Sequence, residues 1–321
     1  MHQLISTVIL ILFLGCKTKT GDEVFLFSYF KNNGEDGLHL AYSNDGLKWK
    51  ALNNDKSFLI PELSKDKLMR DPCIIKGPDG KFHMVWTVSW EENGIGYANS
   101  VDLINWSEQI FIPVMQHANK TKNSWAPELF YDDEKQQYLI FWASTVSDRF
   151  AETANQAEES WNHRMYYTTT KDFKFFSETK IFVEPGFNVI DATISKNGDK
   201  YFMIIKDETL IPEAKKSLHI LFSDNLYDWD VPVSDAISGN WVEGPTIAKH
   251  ENHWIVYFDQ YRKQTFGAIR SNNLQNWDDI SKDVSFPNGA RHGSVFKVSE
   301  KFFNRLKDQK LILNSNFTKG N

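Results

Sequence analysis

The 321-residue sequence predicts an all-β fold, a five-bladed β-propeller. Two interleaved repeats, each present five times, and a dense alternation of β-branched and aromatic residues carry that prediction. The first repeat is a heptad: Ser or Thr, any residue, Asp or Asn, three residues, then Trp or Phe. Its copies are Ser43–Trp49, Ser100–Trp106, Thr170–Phe176, Ser223–Trp229 and Ser271–Trp277. They recur at intervals of roughly 50–70 residues, enough for four short strands each. The second repeat comprises Arg70-Asp71-Pro72, Trp125-Ala126-Pro127-Glu128, Ile190-Asp191-Ala192, Val242-Glu243-Gly244-Pro245 and Arg291-His292-Gly293-Ser294.

In each heptad, the Ser/Thr and Asp/Asn side chains can bond nearby backbone N–H groups and fold the chain back, while the aromatic packs between neighbouring sheets. A short strand precedes each copy: Leu38–Tyr42, Gly94–Asn99, Arg164–Thr169, Leu218–Phe222 and Phe266–Arg270. A stronger one lies before that: Val24–Phe30, Lys81–Val88, Gln137–Ala143, Lys200–Ile205 and His253–Phe258. Each motif of the second repeat opens a unit and leads into a β-prone segment. The first heptad has no opening motif before it, and the last opening motif has no full blade after it. Joining the two ends resolves both: Ser294–Val298 becomes the inner strand of the blade formed by Val24–Leu52. The ring is then closed by its own termini.

Composition narrows the function classes. There are 36 Lys and Arg against 42 Asp and Glu, a net charge of −6. No clustered basic surface marks a nucleic-acid partner. Aromatic residues make up 14%, with 11 Trp, 11 Tyr and 24 Phe, which suits strands and the stacking of sugar rings. Two cysteines exclude a disulfide framework and a cysteine-based zinc site. Leu4 to Leu14 is too short to span a bilayer and fits the apolar region of a signal peptide. It ends in Phe13-Leu14-Gly15-Cys16, which resembles a bacterial lipobox. The expected organisation is a signal peptide over 1–15, lipidation at Cys16, a polar tether over 16–22, and one propeller over 23–321. The chain is expected to be an exported, lipid-anchored monomer of the bacterial cell envelope. Cys73, in an apolar run, is expected to be a buried, inert thiol.

In a propeller the inner strands all start at one mouth of the central channel. Asp71, Glu128, Asp191, Glu243 and His292 therefore gather there from distant parts of the chain. Four carboxylates around one funnel repel one another and are costly to desolvate. Such an arrangement suits a site where one carboxyl must hold a proton and another must not.

The opening motifs, in order, resemble glycoside hydrolase family 43. The resemblance covers nearly all of the chain beyond residue 22 and implies a five-bladed propeller that hydrolyses glycosides with inversion. It matches Asp71 to the general base that activates water and Glu243 to the general acid. Asp191 matches the carboxylate that tunes and orients that acid. His292 matches a channel histidine that contacts water or a bound cation, so a structural calcium ion in the channel is a candidate; no cofactor is required. Glu128 recurs in that family outside the catalytic three and is read as substrate-binding or structural. The roles agree with the chemistry, since inversion needs two carboxyl groups far enough apart to admit a water.

Trp90, Trp125, Phe187 and Phe258 are candidates for the sugar platform, Trp125 foremost, and Arg291 is a candidate substrate contact. Lys206-Asp207-Glu208 either reaches a sugar hydroxyl or forms a solvated charged loop. The second blade carries extra length at Val146–His163, with a polar, helix-like run from Ala151 to Glu158 that would wall the pocket. The leading expectation is an exo-acting enzyme releasing terminal α-L-arabinofuranose. β-Xylosides and galactofuranosides are alternatives on the same fold. A fructan-cleaving propeller would need an Asn-Asp-Pro motif before residue 70, and a sialidase a tyrosine nucleophile and six blades. A silent, surface-tethered sugar-binding propeller is the non-enzymatic alternative.

Overall fold

The computed structural model describes residues 23–157 and 161–317. The expected signal peptide, tether and lipidated Cys16 lie outside the described residues. Five antiparallel sheets form the ring. The first blade is β1–β2–β3 (Glu23–Lys31, His39–Ser43, Lys50–Ala51) only in chain order; in space it is completed last, and it is here called the fifth blade. Four blades follow along the chain. The first holds β4 (Arg70–Lys76), β5 (Phe82–Thr87), β6 (Ile95–Ser100) and β7 (Ile110–Ile112). The second holds β8 (Trp125–Asp132), β9 (Gln137–Thr145), β10 (His163–Thr170) and β11 (Lys180–Val183). The third holds β12 (Val189–Asn197), β13 (Lys200–Asp207) and β14 (Leu218–Ser223). The fourth holds β15 (Glu243–His250), β16 (His253–Gln260), β17 (Thr265–Ser271) and β18 (Asp278–Asp279).

Ring closure follows the expected pairing. Strand β19 (Ala290–Ser299) is the inner strand of the fifth blade and runs antiparallel to β1, with Val24 opposite Val298 and Ser28 opposite Ser294. The strands approach closely at Gly293, where an added Cβ would sit 1.7 Å from the Ser28 carbonyl oxygen. Only a residue without a side chain fits there.

The heptads fold as their chemistry requires. Asp45 Oδ1 accepts from the Leu47 and Lys48 N–H groups at 2.8 and 2.9 Å. Asp102 Oδ1 does the same for Ile104 and Asn105, Asp172 for Lys174 and Phe175, and Asn273 for Gln275 and Asn276. The fourth copy is looser, with Asn225 accepting from Tyr227. The turns tuck one apolar residue inward, Leu103, Phe173, Leu226 or Leu274, and each is at most 5% exposed. Five apolar clusters result, one at each joint between blades. Burying each large side chain contributes about 1.5–3 kcal/mol.

Three features differ from the expectations. The third blade has three strands, not four. The segment beyond β14 lies along its edge through Ser234 N–H to Ile220 O (3.1 Å) and Ile237 N–H to Leu218 O (2.8 Å). The β14 N–H groups of Leu218 and Ile220 go to the Ser238 and Ser234 hydroxyls (2.9 and 3.0 Å) rather than to backbone carbonyls, so no regular ladder forms. Glu158 lies outside the described residues, and among the described residues of the second-blade insertion there is a 3₁₀ turn at Ala151–Thr153 rather than a helix running on from Ala151. Its residues fold onto Arg164, which is fully buried. Arg164 donates to Thr153 Oγ1 (2.8 Å) and the His163 carbonyl (2.8 Å), while Asn162 Nδ2 bonds the Phe150 carbonyl (2.9 Å). So short a run gains little from propagating as a helix, and these side-chain bonds win. Finally, β19 is followed by helix α1 (Glu300–Phe317), which is not among the expected elements. Ser299 Oγ caps it by accepting from Phe302 N–H at 3.3 Å. Phe303 packs on Tyr42 (4.7 Å) and Phe302 on Phe82 (5.0 Å), so α1 covers the joint between the fifth and first blades.

Candidate active site

Each inner strand carries a β-bulge within its opening motif. The register shifts lie between Arg70 and Cys73, Trp125 and Glu128, Ile190 and Thr193, Glu243 and Thr246, and opposite Tyr29/Phe30 on β19. A bulge bends its strand and re-aims a side chain. Four bulges contain a left-handed residue: Asp71 (φ 52°), Ala126 (φ 45°), Asp191 (φ 51°) and Gly244 (φ 59°). For Asp71 and Asp191 this strained conformation belongs to the functional side chain itself, as is common at active sites.

Aligning the bulges sets the depth of each group. Asp71, Asp191 and His292 share one level. Glu243 stands one residue nearer the mouth, and Glu128 lies two residues deeper. A cavity of about 460 Å³ opens above them, a size usual for ligand clefts. Asp71, Asp191, Glu243, His292, Arg291, Trp90 and Trp125 all line it. Glu128 does not line it: it is 7% exposed, below the cavity, which argues against its grouping with the substrate contacts. Phe187 and Phe258 also lie elsewhere. Phe258 is 3% exposed in the core between the third and fourth blades, and Phe187 packs with the core between the second and third.

The three acids have different surroundings. Asp71 Oδ1 is 3.3 Å from His292 Nδ1, and Asp71 Oδ2 accepts from Thr87 Oγ1 at 2.8 Å. Burial alone would raise the Asp71 carboxyl, but His292, Arg70 and Thr87 together hold it below its usual range. It is therefore a carboxylate. Asp191 Oδ2 accepts from Gly244 N–H at 2.9 Å. Burial, with Glu243 and Asp71 nearby, lifts Asp191 to about 6 against the opposing pull of His292 and Lys206. Glu243 is the most open of the three, its side chain 25% exposed, and it meets Lys206 Nζ and Arg291 NH2 at 3.3 Å each.

Below them, burial pushes Glu128 up to about 8, partly offset by His292 and a hydrogen bond from Thr193. For His292, burial would favour the neutral ring, but Asp71, Asp191 and Glu128 outweigh it and raise it to about 9. Among the described residues no group of three His, Cys, Asp or Glu side chains is placed to hold a metal ion.

The sequence misses several members of the site. Thr87, inside the buried strand β5, also accepts from Ala126 N–H at 2.8 Å, so its one proton is committed to Asp71. Asn33 Oδ1 accepts from Arg70 (2.9 Å) and Trp90 Nε1 (3.1 Å), and the Arg70 guanidinium lies 4.3 Å over the Trp90 ring. Asp259 Oδ2 accepts from Arg291 Nε at 2.5 Å. Lys206 and Glu208 are not a solvated loop: Lys206 is 1% exposed, and Glu208 lines the cavity. Trp90 is 43% exposed at the rim. It stands edge-on to Trp125 at 5.4 Å, and Trp125 Nε1 donates to the Trp90 carbonyl at 3.0 Å. Trp161, from the end of the insertion, packs on Trp125 at 4.7 Å.

Known proteins share this fold. The α-L-arabinofuranosidase of Bifidobacterium longum subsp. longum is 25% identical over 210 residues, covering 59% of this chain and 20% of that protein. The chain thus spans about a fifth of the length of that curated relative. Among solved structures, a thermostable family-43 glycoside hydrolase superposes with a TM-score of 0.55 at 16% identity, covering 70% of this chain and 78% of the other. The α-L-arabinofuranosidase from Lactobacillus brevis gives a TM-score of 0.53 at 16% identity, with 66% and 72% covered. At that identity the likeness is one of fold. The family model for a probable glycosyl hydrolase domain, related to glycosyl hydrolase family 43, matches residues 22–304. The chain belongs to this family 43-related group of glycosyl hydrolase domains.

Proposed function

We propose that the chain is an exo-acting, inverting glycoside hydrolase that releases terminal α-L-arabinofuranose from oligosaccharides or polysaccharides. The observation that carries this reading is the convergence of Asp71, Asp191 and Glu243 on one cavity with unlike electrostatics. Asp71, kept ionised, takes a proton from water as the water oxygen attacks the anomeric carbon. Glu243 gives its proton to the glycosidic oxygen as the C–O bond breaks, and the electron pair of that bond stays on the oxygen. Asp191 acts on Glu243 through charge and through the Gly244 N–H, which fixes the backbone beside the acid. The aromatic rim of Trp90 and Trp125 suits the apolar face of a terminal sugar. The arabinofuranosidase relative supports the choice of sugar.

The same proposal places the enzyme in the cell envelope, anchored through a lipidated Cys16. It is tested by assaying aryl α-L-arabinofuranosides, β-xylosides and galactofuranosides with wild-type enzyme and with Asp71→Asn and Glu243→Gln. Turnover of the arabinofuranoside by wild type, lost in Asp71→Asn, supports the reading. Preference for another sugar corrects the substrate, and binding without turnover of any glycoside overturns the enzyme reading.

A further inference from the structure

Lys206 on β13 is 1% exposed. Lysine is almost never taken so far out of water unless it is paired. A buried ion pair also tends to stabilise a fold no better than apolar packing of the same volume. Stability is therefore a weak reason for its place, and its partners supply a stronger one. Lys206 Nζ lies 2.6 Å from Glu208 Oε2 and 3.3 Å from Glu243 Oε2. Glu208 is held in turn by Lys216, itself 7% exposed. On the opposite side Glu243 Oε1 meets Arg291 NH2 at 3.3 Å, and Arg291 is paired with Asp259.

Each oxygen of Glu243 thus faces its own cation, and each cation has its own second carboxylate. The cations come from different blades: β13 of the third and β19 of the fifth flank β15 of the fourth. Glu243 in turn acts through charge on Asp191 of β12, helping to raise its carboxyl. A carboxyl gripped from both sides keeps one orientation. When its proton leaves for the glycosidic oxygen, the new carboxylate is met by charges already in place, which is the arrangement that lowers a barrier without reorganisation.

We propose that Lys206 is a positioning residue for Glu243, aiming its carboxyl and stabilising the carboxylate left after proton transfer, with Glu208 and Lys216 holding Lys206 in turn. This inference rests on the glycosidase reading above. It is tested with aryl glycosides of one sugar whose leaving phenols differ in acidity, comparing wild type, Lys206→Met, Lys206→Arg and Glu243→Gln. Lys206→Met should lose about 10²-fold in kcat/KM on the least acidic phenol, the low end of what a general acid supplies. On the most acidic phenol, which needs little protonation, the loss should be smallest, following the same leaving-group dependence as Glu243→Gln. Lys206→Arg should recover most of the loss on the poor leaving group. A merely structural role would lower every substrate alike. Should Lys206→Met fail to fold, Lys206→Gln carries the same test. Equal loss across the series, or none, overturns the inference while leaving an active wild type. A wild type inactive on every glycoside overturns the glycosidase reading and this inference with it.

Discussion

His292 Nδ1 and Asp71 Oδ1 lie 3.3 Å apart, and each favours the charged form of the other. Asp71 is held below its usual range, and His292 is raised to about 9. The pair joins the strand that opens the first blade to the strand that closes the ring, so the same contact serves the site and the closure.

This pair makes stability fall as pH rises above neutrality. A free imidazole titrates near 6.5, so the His292 contribution is complete below about 6.5 and lost as pH passes about 9. Glu128, raised by burial to about 8, adds in the same direction, because the folded chain keeps a proton that the unfolded chain releases. His163 works oppositely, lowered by burial to about 4, but its effect is finished by about 6.5. The melting temperature should therefore fall between pH 7 and 9, and His292→Gln should flatten that decline. A melting temperature that holds or climbs over the same range would count against the pairing.

Thr87→Val should damage both stability and the base. The hydroxyl donates to Asp71 Oδ2 and accepts from Ala126 N–H; valine leaves that N–H unpaired and Asp71 with His292 but without its Oδ2 donor. Unfolding in urea should show a loss of about 1–3 kcal/mol. The acidic limb of the pH–rate profile should move upward, since Asp71 loses a bond to its ionised form. Thr87→Ser, which keeps the hydroxyl, should restore the limb; a limb unmoved in Thr87→Val would show that the bond does nothing for Asp71.

Gly244→Ala should be severe for a single methyl group. The residue has φ +59°, and the new Cβ would lie 2.3 Å from His292 Cγ. The backbone conformation alone costs a residue with a side chain about 1–2 kcal/mol, and overpacking adds about 1–3 kcal/mol. Chemical denaturation and activity measured together check this, and an unchanged variant would mean that the bulge and His292 are not packed as described.

Trp90→Ala tests the sugar platform. The ring is 43% exposed, so folding stability should change little. KM on oligosaccharides should rise about tenfold, the equivalent of about 1.4 kcal/mol, with kcat nearly kept. An unaltered KM would remove Trp90 from the platform.

The periodic parts of the molecule were legible because repetition exposes them. The Asp45, Asp102, Asp172 and Asn273 turns carry their function in local side-chain chemistry, and the opening motifs mark where inner strands begin. Depth was not legible. The opening motifs align in sequence as one ring, yet bulge geometry sets Glu243 toward the mouth and Glu128 below the floor. That offset depends on which residue of each motif takes positive φ, and Asp71, Ala126, Asp191 and Gly244 share no side-chain type that would announce it. Thr87 and Asp259 sit in strands whose neighbours are apolar, so they read as ordinary β positions until the strands are brought together. The sequence leaves Lys206 open between a sugar contact and a solvated charge run, because its partner Glu243 and the Lys216 that holds Glu208 are near only in space.

The stereochemistry of the first-formed sugar tests the central claim most directly. Proton NMR, recorded as the enzyme cleaves an aryl α-L-arabinofuranoside and before the product mutarotates, distinguishes the two anomers. With Asp71 activating water on one face and Glu243 protonating the leaving oxygen on the other, the first product should be β-L-arabinofuranose, the inverted anomer. Appearance of the α anomer first would mean a covalent intermediate, and the assignment of Asp71 as a general base would be wrong.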